Sequence, residues 1–228
     1  MNKDLTARET ILNHVRAAVN ARSGDPLKPP PLSARFEPRK AASLDEEATR
    51  MLGEVKKLGG HGLRVCGRED FSVALGDLIR AEGIRTAAFS AHPFYAPYDV
   101  DDLLRAFGVE ILSHNGDGRR LVECDMGMTV ADAALPETGT VLLRTTQGQP
   151  DALSLLPRVH LALVAPEALL ADLHHAFALA KGDRHFVLVS GCSRTADIEK
   201  VLTLGVHGPK SFHLWICGDP RPPFMPPA

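Results

Sequence analysis

Apolar positions recur at two spacings along this chain, and the two spacings alternate. Ile11, Leu12, Val15, Ala18 and Val19 repeat at helical intervals, which predicts a helix over 5–21 with one apolar face. A second helical pattern runs from Leu44 to Leu58 and is closed by Gly59-Gly60. Leu63-Arg64-Val65-Cys66 then reads as a short strand, and Phe71 to Glu82 as a helix stopped by Gly83. Thr86 to Ser90 predicts a strand, Val100 to Phe107 a helix, and Val109 to Leu112 another strand. Helices that alternate with short apolar strands predict an open, mainly parallel sheet with helices on both faces.

The middle of the chain breaks this rhythm. Met128 to Leu135 and Thr140 to Arg144 are both apolar and β-leaning, with only Pro136-Glu137-Thr138-Gly139 between them. No crossover helix fits in that gap, so the two predict neighbouring antiparallel strands inserted in the sheet. Val159 to Val164 resumes the strands and Glu167 to Ala180 predicts a helix. Phe186 to Val189 and Phe212 to Ile216 predict two strands, joined by a glycine turn at Gly191, a helix, and a tight turn at Gly205 to Pro209.

Two segments fall outside the alternation. Ser23 to Pro31 contains four prolines and predicts an extended, semi-rigid arm. Arg35, Arg39 and Lys40 follow it, on what reads as a solvated face. The expected division is therefore an N-terminal helix with a proline-rich arm over 1–40 and one α/β domain over 41–228. The free apolar face of the first helix needs a partner, either this core or a second copy in a homo-oligomer. The proline-rich tail from Asp219 onward predicts irregular structure.

Size and charge narrow the function classes. A chain of 228 residues can bury a full core without disulfides or a structural metal. A formal net charge of −2 lacks the basic surplus of a nucleic-acid binder. No apolar run approaches the ~20 residues of a membrane span, and Met1 to Asn20 lacks a secretory core, so the expected compartment is the cytoplasm. Cys66, Cys124, Cys192 and Cys217 form no CxxC pair or cluster, and the expected reading is buried structural thiols, with Cys192 in a turn as the exception. His174 and His175 are adjacent and would point about 100° apart on a helix, so they cannot share an ion. No HxxxH, HExxH, GxGxxG or Walker lysine pattern is present, and the expectation is no metal and no cofactor.

Three turns concentrate polar chemistry. At Ser190 to Glu199 a helix opening after Gly191 would aim free N–H groups at an anion, with Ser193 or Thr195 as cap and Arg194 as a bidentate partner. Its structural counterpart is a capped helix with an exposed arginine. At Asp132 to Thr140, Glu137 offers a general base, acid or nucleophile, and Thr138 and Thr140 offer hydroxyl donors around Gly139. The plain alternative is a β-turn satisfying its own backbone. At Gly205 to Lys210, His207 stands between glycines as an accessible acid–base group or an ordinary loop histidine, and Gly208-Pro209 turns the chain. Ser154 to His160 leads into a strand, with Ser154 and Arg158 as weaker candidates.

These segments resemble the LUD-domain family, in its lactate utilization protein C branch. The resemblance is carried by Ala131-Asp132-Ala133-Ala134 leading into Glu137-Thr138-Gly139-Thr140, by Ser154-Leu155-Leu156-Pro157, by Ser193 to Glu199, and by Gly205-Val206-His207-Gly208-Pro209. It covers about residues 45–218. Two positions depart from the family pattern: Pro136 stands where a small residue is common, and Cys192 where proline is common. The resemblance implies a fold like the NagB/ribose-5-phosphate isomerase/CoA-transferase group. It also implies involvement in oxidising L-lactate to pyruvate beside iron–sulfur partner subunits, this chain being free of clusters. The expected site is Glu137 and His207 as proton-moving groups, with Thr138, Gly139, Thr140, Ser193, Arg194, Thr195 and Gly208 binding a small carboxylate or phosphate-bearing anion at the carboxyl ends of the strands. The competing expectations are a stand-alone enzyme of acyl, CoA or phosphosugar type using Glu137, and a non-catalytic scaffold subunit.

Overall fold

The computed structural model describes residues 6–21, 39–113, 118–179, 185–196, 202–205 and 207–218. The proline arm, Arg35, His114, Asp197 to Glu199 and the proline-rich tail lie outside the described residues, as does the side chain of Thr195. The chain forms two compact units, Met1–Glu37 and Pro38–Ala228. The first contains helix α1 (Ala7–Ala21), whose first turn is capped by Thr6 through reciprocal bonds with Glu9.

The second unit carries, in chain order, α2 (Leu44–Lys57), β1 (His61–Cys66), α3 (Gly67–Glu82), β2 (Thr86–Phe89), α4 (Val100–Ala106), β3 (Glu110–Ile111), β4 (Met126–Val130), β5 (Ala133–Leu135), β6 (Thr140–Arg144), α5 (Ala152–Leu155), β7 (Val159–Val164), α6 (Leu173–Leu179), β8 (Phe186–Val189), β9 (Arg194–Ala196), β10 (Leu202–Leu204) and β11 (Ser211–Gly218). Six strands form a parallel sheet in the order β1-β11-β7-β4-β2-β3. Helices cover both faces, so the open parallel α/β fold expected from the alternating pattern is the one observed.

The period-two pattern sorts the central strands onto two cores. Trp215 and Cys217 join Leu161, Leu163, Met126 and Met128 against Phe71, Leu75 and Ile79 of α3 and Leu104 of α4. Phe212, Leu214 and Ile216 face the other way, with Ala162 and Val164, against Met51 and Val55 of α2. A capping box between Ser43 and Glu46 starts α2, and Gly83 in the left-handed conformation ends α3, as its position predicted.

The antiparallel pair flanking Pro136–Gly139 exists, but not inside the main sheet. β5, β6 and β8 make a separate three-stranded antiparallel sheet, laid over the α2 face. The apolar run expected as one strand from Met128 breaks after Val130, where the side-chain amide of Gln149 accepts from Val130 N at 2.9 Å and donates to Val130 O at 3.0 Å. Those bonds satisfy the end of β4 and release the chain into the second sheet. Asp132 then fixes the hairpin, accepting from Arg144 N and Arg144 Nε at 2.9 Å each.

Three further expectations are corrected. Among the described residues no helix opens after Gly191: Arg194–Ala196 pairs antiparallel with Leu202–Leu204 as a two-stranded ribbon, closed by Gly205 N donating to Ser193 O at 3.0 Å. The helix expected from Glu167 begins only at Leu173, because Leu169 and Leu170 bond along β5 and Asp172 caps the turn that follows. Cys124 and Cys217 are buried thiols, pushed up to about 11 and about 12 by burial, but Cys66 is exposed at the mouth of α3. Ser154 and Arg158 are structural: Ser154 Oγ donates to Asp151 O, and Arg158 bridges Asp125 and the Glu82 carbonyl at the foot of the sheet.

Candidate functional site

The second sheet and α6 enclose a pocket of about 300 Å³. Its polar side is Glu137, Thr138, Thr140, Ser190 and Asp172, and its apolar side is Leu135, Leu173 and Leu188. Glu137 and Thr138 reach it because the β5–β6 turn is tight. Gly139 holds φ at +62°, and a Cβ there would stand 3.0 Å from the backbone of Glu54 and Val55. The turn therefore rests directly on the last turn of α2. Gly191, with φ at +81°, rests on Leu58 in the same way, since a Cβ there would stand 3.0 Å from Leu58 Cβ. One helix end thus positions two turns about fifty residues apart in sequence.

Three hydroxyls join those turns. Thr138 Oγ1 and Thr140 Oγ1 are 2.8 Å apart, and Thr140 Oγ1 and Ser190 Oγ are 2.7 Å apart. Both separations are normal for O–H···O bonds. Such a chain can pass a proton or align a ligand group along its length.

The wall on the α6 side is built from charge. Asp172 Oδ1 accepts from His174 N at 3.0 Å, His175 N at 3.2 Å and His175 Nδ1 at 2.7 Å, and Oδ2 accepts from Arg39 N at 2.9 Å. Burial pushes this carboxyl up, but the His175 ring, the His175 N–H and the Arg39 N–H pull harder the other way and hold it down at about 2. Arg39 is not the solvated cation expected of it. Its guanidinium makes a fork with Glu47, at 2.6 and 2.8 Å, and its Nε donates to Ala171 O at 2.7 Å. The Glu47 hydrogen bonds raise Arg39 above its ordinary value, and Glu137 adds to this through its charge. The Glu47 side chain is 1% exposed and that of Arg39 21%. Glu47→Ala would strand the guanidinium beside Ala171 and Asp172. We expect a loss of about 3 kcal/mol, read as a lower urea midpoint, because breaking a buried pair leaves an uncompensated charge.

The expected site residues divide into two groups. Glu137, Thr138, Gly139 and Thr140 come together at the pocket. Ser193, Arg194, His207 and Gly208 gather at a neighbouring corner and are not part of its lining. There Ser193 N donates to Pro209 O at 2.9 Å, and a Cβ on Gly208 would lie 3.0 Å from Ser193 Cβ. The Arg194 guanidinium donates to Leu58 O, Cys192 Sγ lies 3.5 Å from Gly59 O, and His207 is exposed. Leu58 and Gly59 precede β1, and Pro209 precedes β11, so this corner lies at the amino ends of those strands. The carboxyl-end placement fails because β8 pairs with β6 instead of entering the parallel sheet, which brings the Gly191 turn out at the opposite end.

Sequence reading missed Asp172, Arg39 and the role of Ser190. Asp172 carries a legible signal, an acid one residue before an apolar-periodic stretch. Ser190 opens the glycine turn but reads there as a mere flank. Arg39 has no local signal, since its partners are set by tertiary packing. Among the described residues no group of three or more His, Cys, Asp or Glu is placed to hold a metal ion, and no helix is long and apolar enough to cross a membrane.

Comparison with known proteins adds four findings. The LUD domain model matches residues 50–216. A protein named lactate utilization protein C from Halalkalibacterium halodurans is 30% identical over 89% of this chain and 94% of its own length. Another of that name, from Shouchella clausii, is 29% identical over 78% of this chain and 82% of its own. The crystal structure of a DUF162 family protein from Deinococcus radiodurans superposes with a TM-score of 0.58 at 20% identity, covering 78% of this chain and all of that one, which supports the fold.

Proposed function

The chain belongs to the LUD-domain family, and from that premise we propose that it is a cluster-free subunit of a cytoplasmic system that oxidises L-lactate to pyruvate beside iron–sulfur partner subunits. A role in lactate utilization is supported by the relatives named lactate utilization protein C. The pocket between the second sheet and α6 holds a small ligand. The ligand bears a carboxylate or phosphate, which stays at the rim, and a hydroxyl-bearing end, which enters toward Glu137 and the hydroxyl chain. The observation that carries this reading is the bond from Thr140 to Ser190, which draws two separate polar turns onto one cavity. Folding alone does not require three hydroxyls and a carboxylate to converge on open space.

Genetic complementation tests it. In a strain lacking this chain, the wild-type copy restores growth on L-lactate as sole carbon source. Glu137→Gln is expected to lower lactate consumption at least ~10-fold, the scale of one lost proton-transfer or charged contact. Glu137 is exposed, so protein level and melting temperature stay unchanged. Full complementation by Glu137→Gln would remove the pocket from the function.

A further inference from the structure

The lining of the pocket specifies the charge of what enters it. Two carboxylates, Glu137 and Asp172, line the pocket, and behind them the Arg39 guanidinium is held by a third, Glu47, while Asp172 takes only the Arg39 backbone N–H and Glu137 acts on Arg39 through charge alone. Three of the five guanidinium N–H donors of Arg39 are already placed, two on Glu47 and one on Ala171 O, its backbone N–H is on Asp172, and its guanidinium is not part of the pocket lining. The hydroxyl chain has three O–H protons and uses two of them internally. At most one hydroxyl proton is left to give, since Thr140 Oγ1 also lies 3.5 Å from Thr138 O, against the open lone pairs of the Glu137 carboxylate. The pocket is therefore rich in acceptors and negative in charge, with an apolar wall of Leu135, Leu173 and Leu188 opposite.

We infer that this pocket admits the uncharged, hydroxyl-bearing end of its ligand, with an apolar flank, and rejects a free small carboxylate such as lactate itself. An entering anion would bring acceptors to acceptors and meet the Glu137 charge at short range. An entering hydroxyl donates to Glu137, accepts the spare proton of the chain, and lays its carbon side on the leucines. The inference rests on the pocket being the ligand site proposed above. It places the lactate anion elsewhere in the assembly and gives this subunit a hydroxylated ligand of its own.

Two probes of equal size and opposite predicted behaviour test it. L-lactamide and L-lactate share the hydroxyl and methyl groups and differ in charge. Each is titrated into the full-length protein, with binding followed by the amide chemical shifts of residues 137–140 and 188–192. Wild-type protein is expected to bind lactamide at least ~10-fold more tightly than lactate, the ratio given by one like-charge contact at a partly solvated site. Glu137→Gln should bring the ratio to about twofold, and added salt should shrink it in the wild type. Lactate binding as tightly as lactamide overturns the charge rule, and so does a ratio untouched by Glu137→Gln. Silence with both probes overturns the pocket as a ligand site, and the functional reading with it.

Discussion

Gly127→Ala is expected to leave the protein unfolded or insoluble at 37 °C, with a stability loss of at least ~4 kcal/mol where it can be measured. Gly127 is in the middle of β4, which pairs with β2 on one side and β7 on the other. A Cβ at this position would run into the backbone carbonyl oxygen of Leu153 and approach Pro157 Cγ to 2.9 Å. The obstacle is main chain, so no rotamer change relieves it. Either α5 lifts off the sheet, exposing the buried Leu153 against Leu121 and Cys124, or β4 leaves its register between two parallel neighbours. Losses of this size belong to a short list of mechanisms, and a backbone collision in the core is one of them. Gly53→Ala is the matched control. Nothing lies within 4 Å of its added methyl, and it sits on the exposed side of α2. It should stabilise by up to ~1 kcal/mol through helix propensity. Soluble yield and urea midpoints of the two variants check both statements.

The contrast between these two glycines shows where the sequence is legible. The parallel sheet could be read because its central strands β4 and β7 bury both faces and α2 and α3 bury one, so local spacing reports the environment. Gly83 could be read as a helix stop for the same local reason. Gly127 could not. Between two methionines it looks like a weak point in a strand, and only the crossing of residues 153–157 explains it. The ribbon at Arg194–Ala196 was misread because Gly191 followed by Ser193 matches a helix opening, while its pairing with Leu202–Leu204 is decided by residues further along.

The same division runs through the site. Glu137, Thr138 and Thr140 announce themselves as polar residues crowded into a turn between apolar strands. Their convergence with Ser190 depends on β6 and β8 pairing, an antiparallel partnership across more than forty residues that no local pattern encodes. Arg39 and Asp172 depend on a longer contact still. The pocket wall is therefore coupled to the fold: the Glu47–Arg39–Asp172 chain ties the start of α6 to α2, and α2 in turn carries the Gly139 and Gly191 turns. A variant that loosens Glu47 should disturb ligand binding and stability together, whereas Glu137→Gln should disturb binding alone.

His160 sets the expected response to acid. Its ring is fully buried between β4 and β11, with Nε2 2.8 Å from Thr129 Oγ1 and Phe212 beside it. Nδ1 has no hydrogen-bond partner among the described residues. A neutral ring that donates from Nε2 to Thr129 leaves only an unpaired acceptor there. A protonated ring would leave an N–H⁺ facing apolar surroundings. Burial, with the neighbouring His213 adding to it, pushes the imidazole down to about 3. The folded value lies below the unfolded one, near 6.5, so the unfolded state takes the proton first as pH falls. Stability is unaffected above about 6.5. Below that it declines by about 1.4 kcal/mol per pH unit from this group alone, until the folded ring also titrates near 3. Between pH 6.5 and 4.5 the wild type should lose about 2 kcal/mol through His160, with His213, also lowered by burial, adding to the slope. His160→Gln keeps a donor for Thr129 and cannot titrate. Its urea midpoint should start lower at pH 7 and fall much less over the same range, so the two curves converge as acid is added. Parallel curves would mean that the ring finds a proton acceptor inside the folded protein.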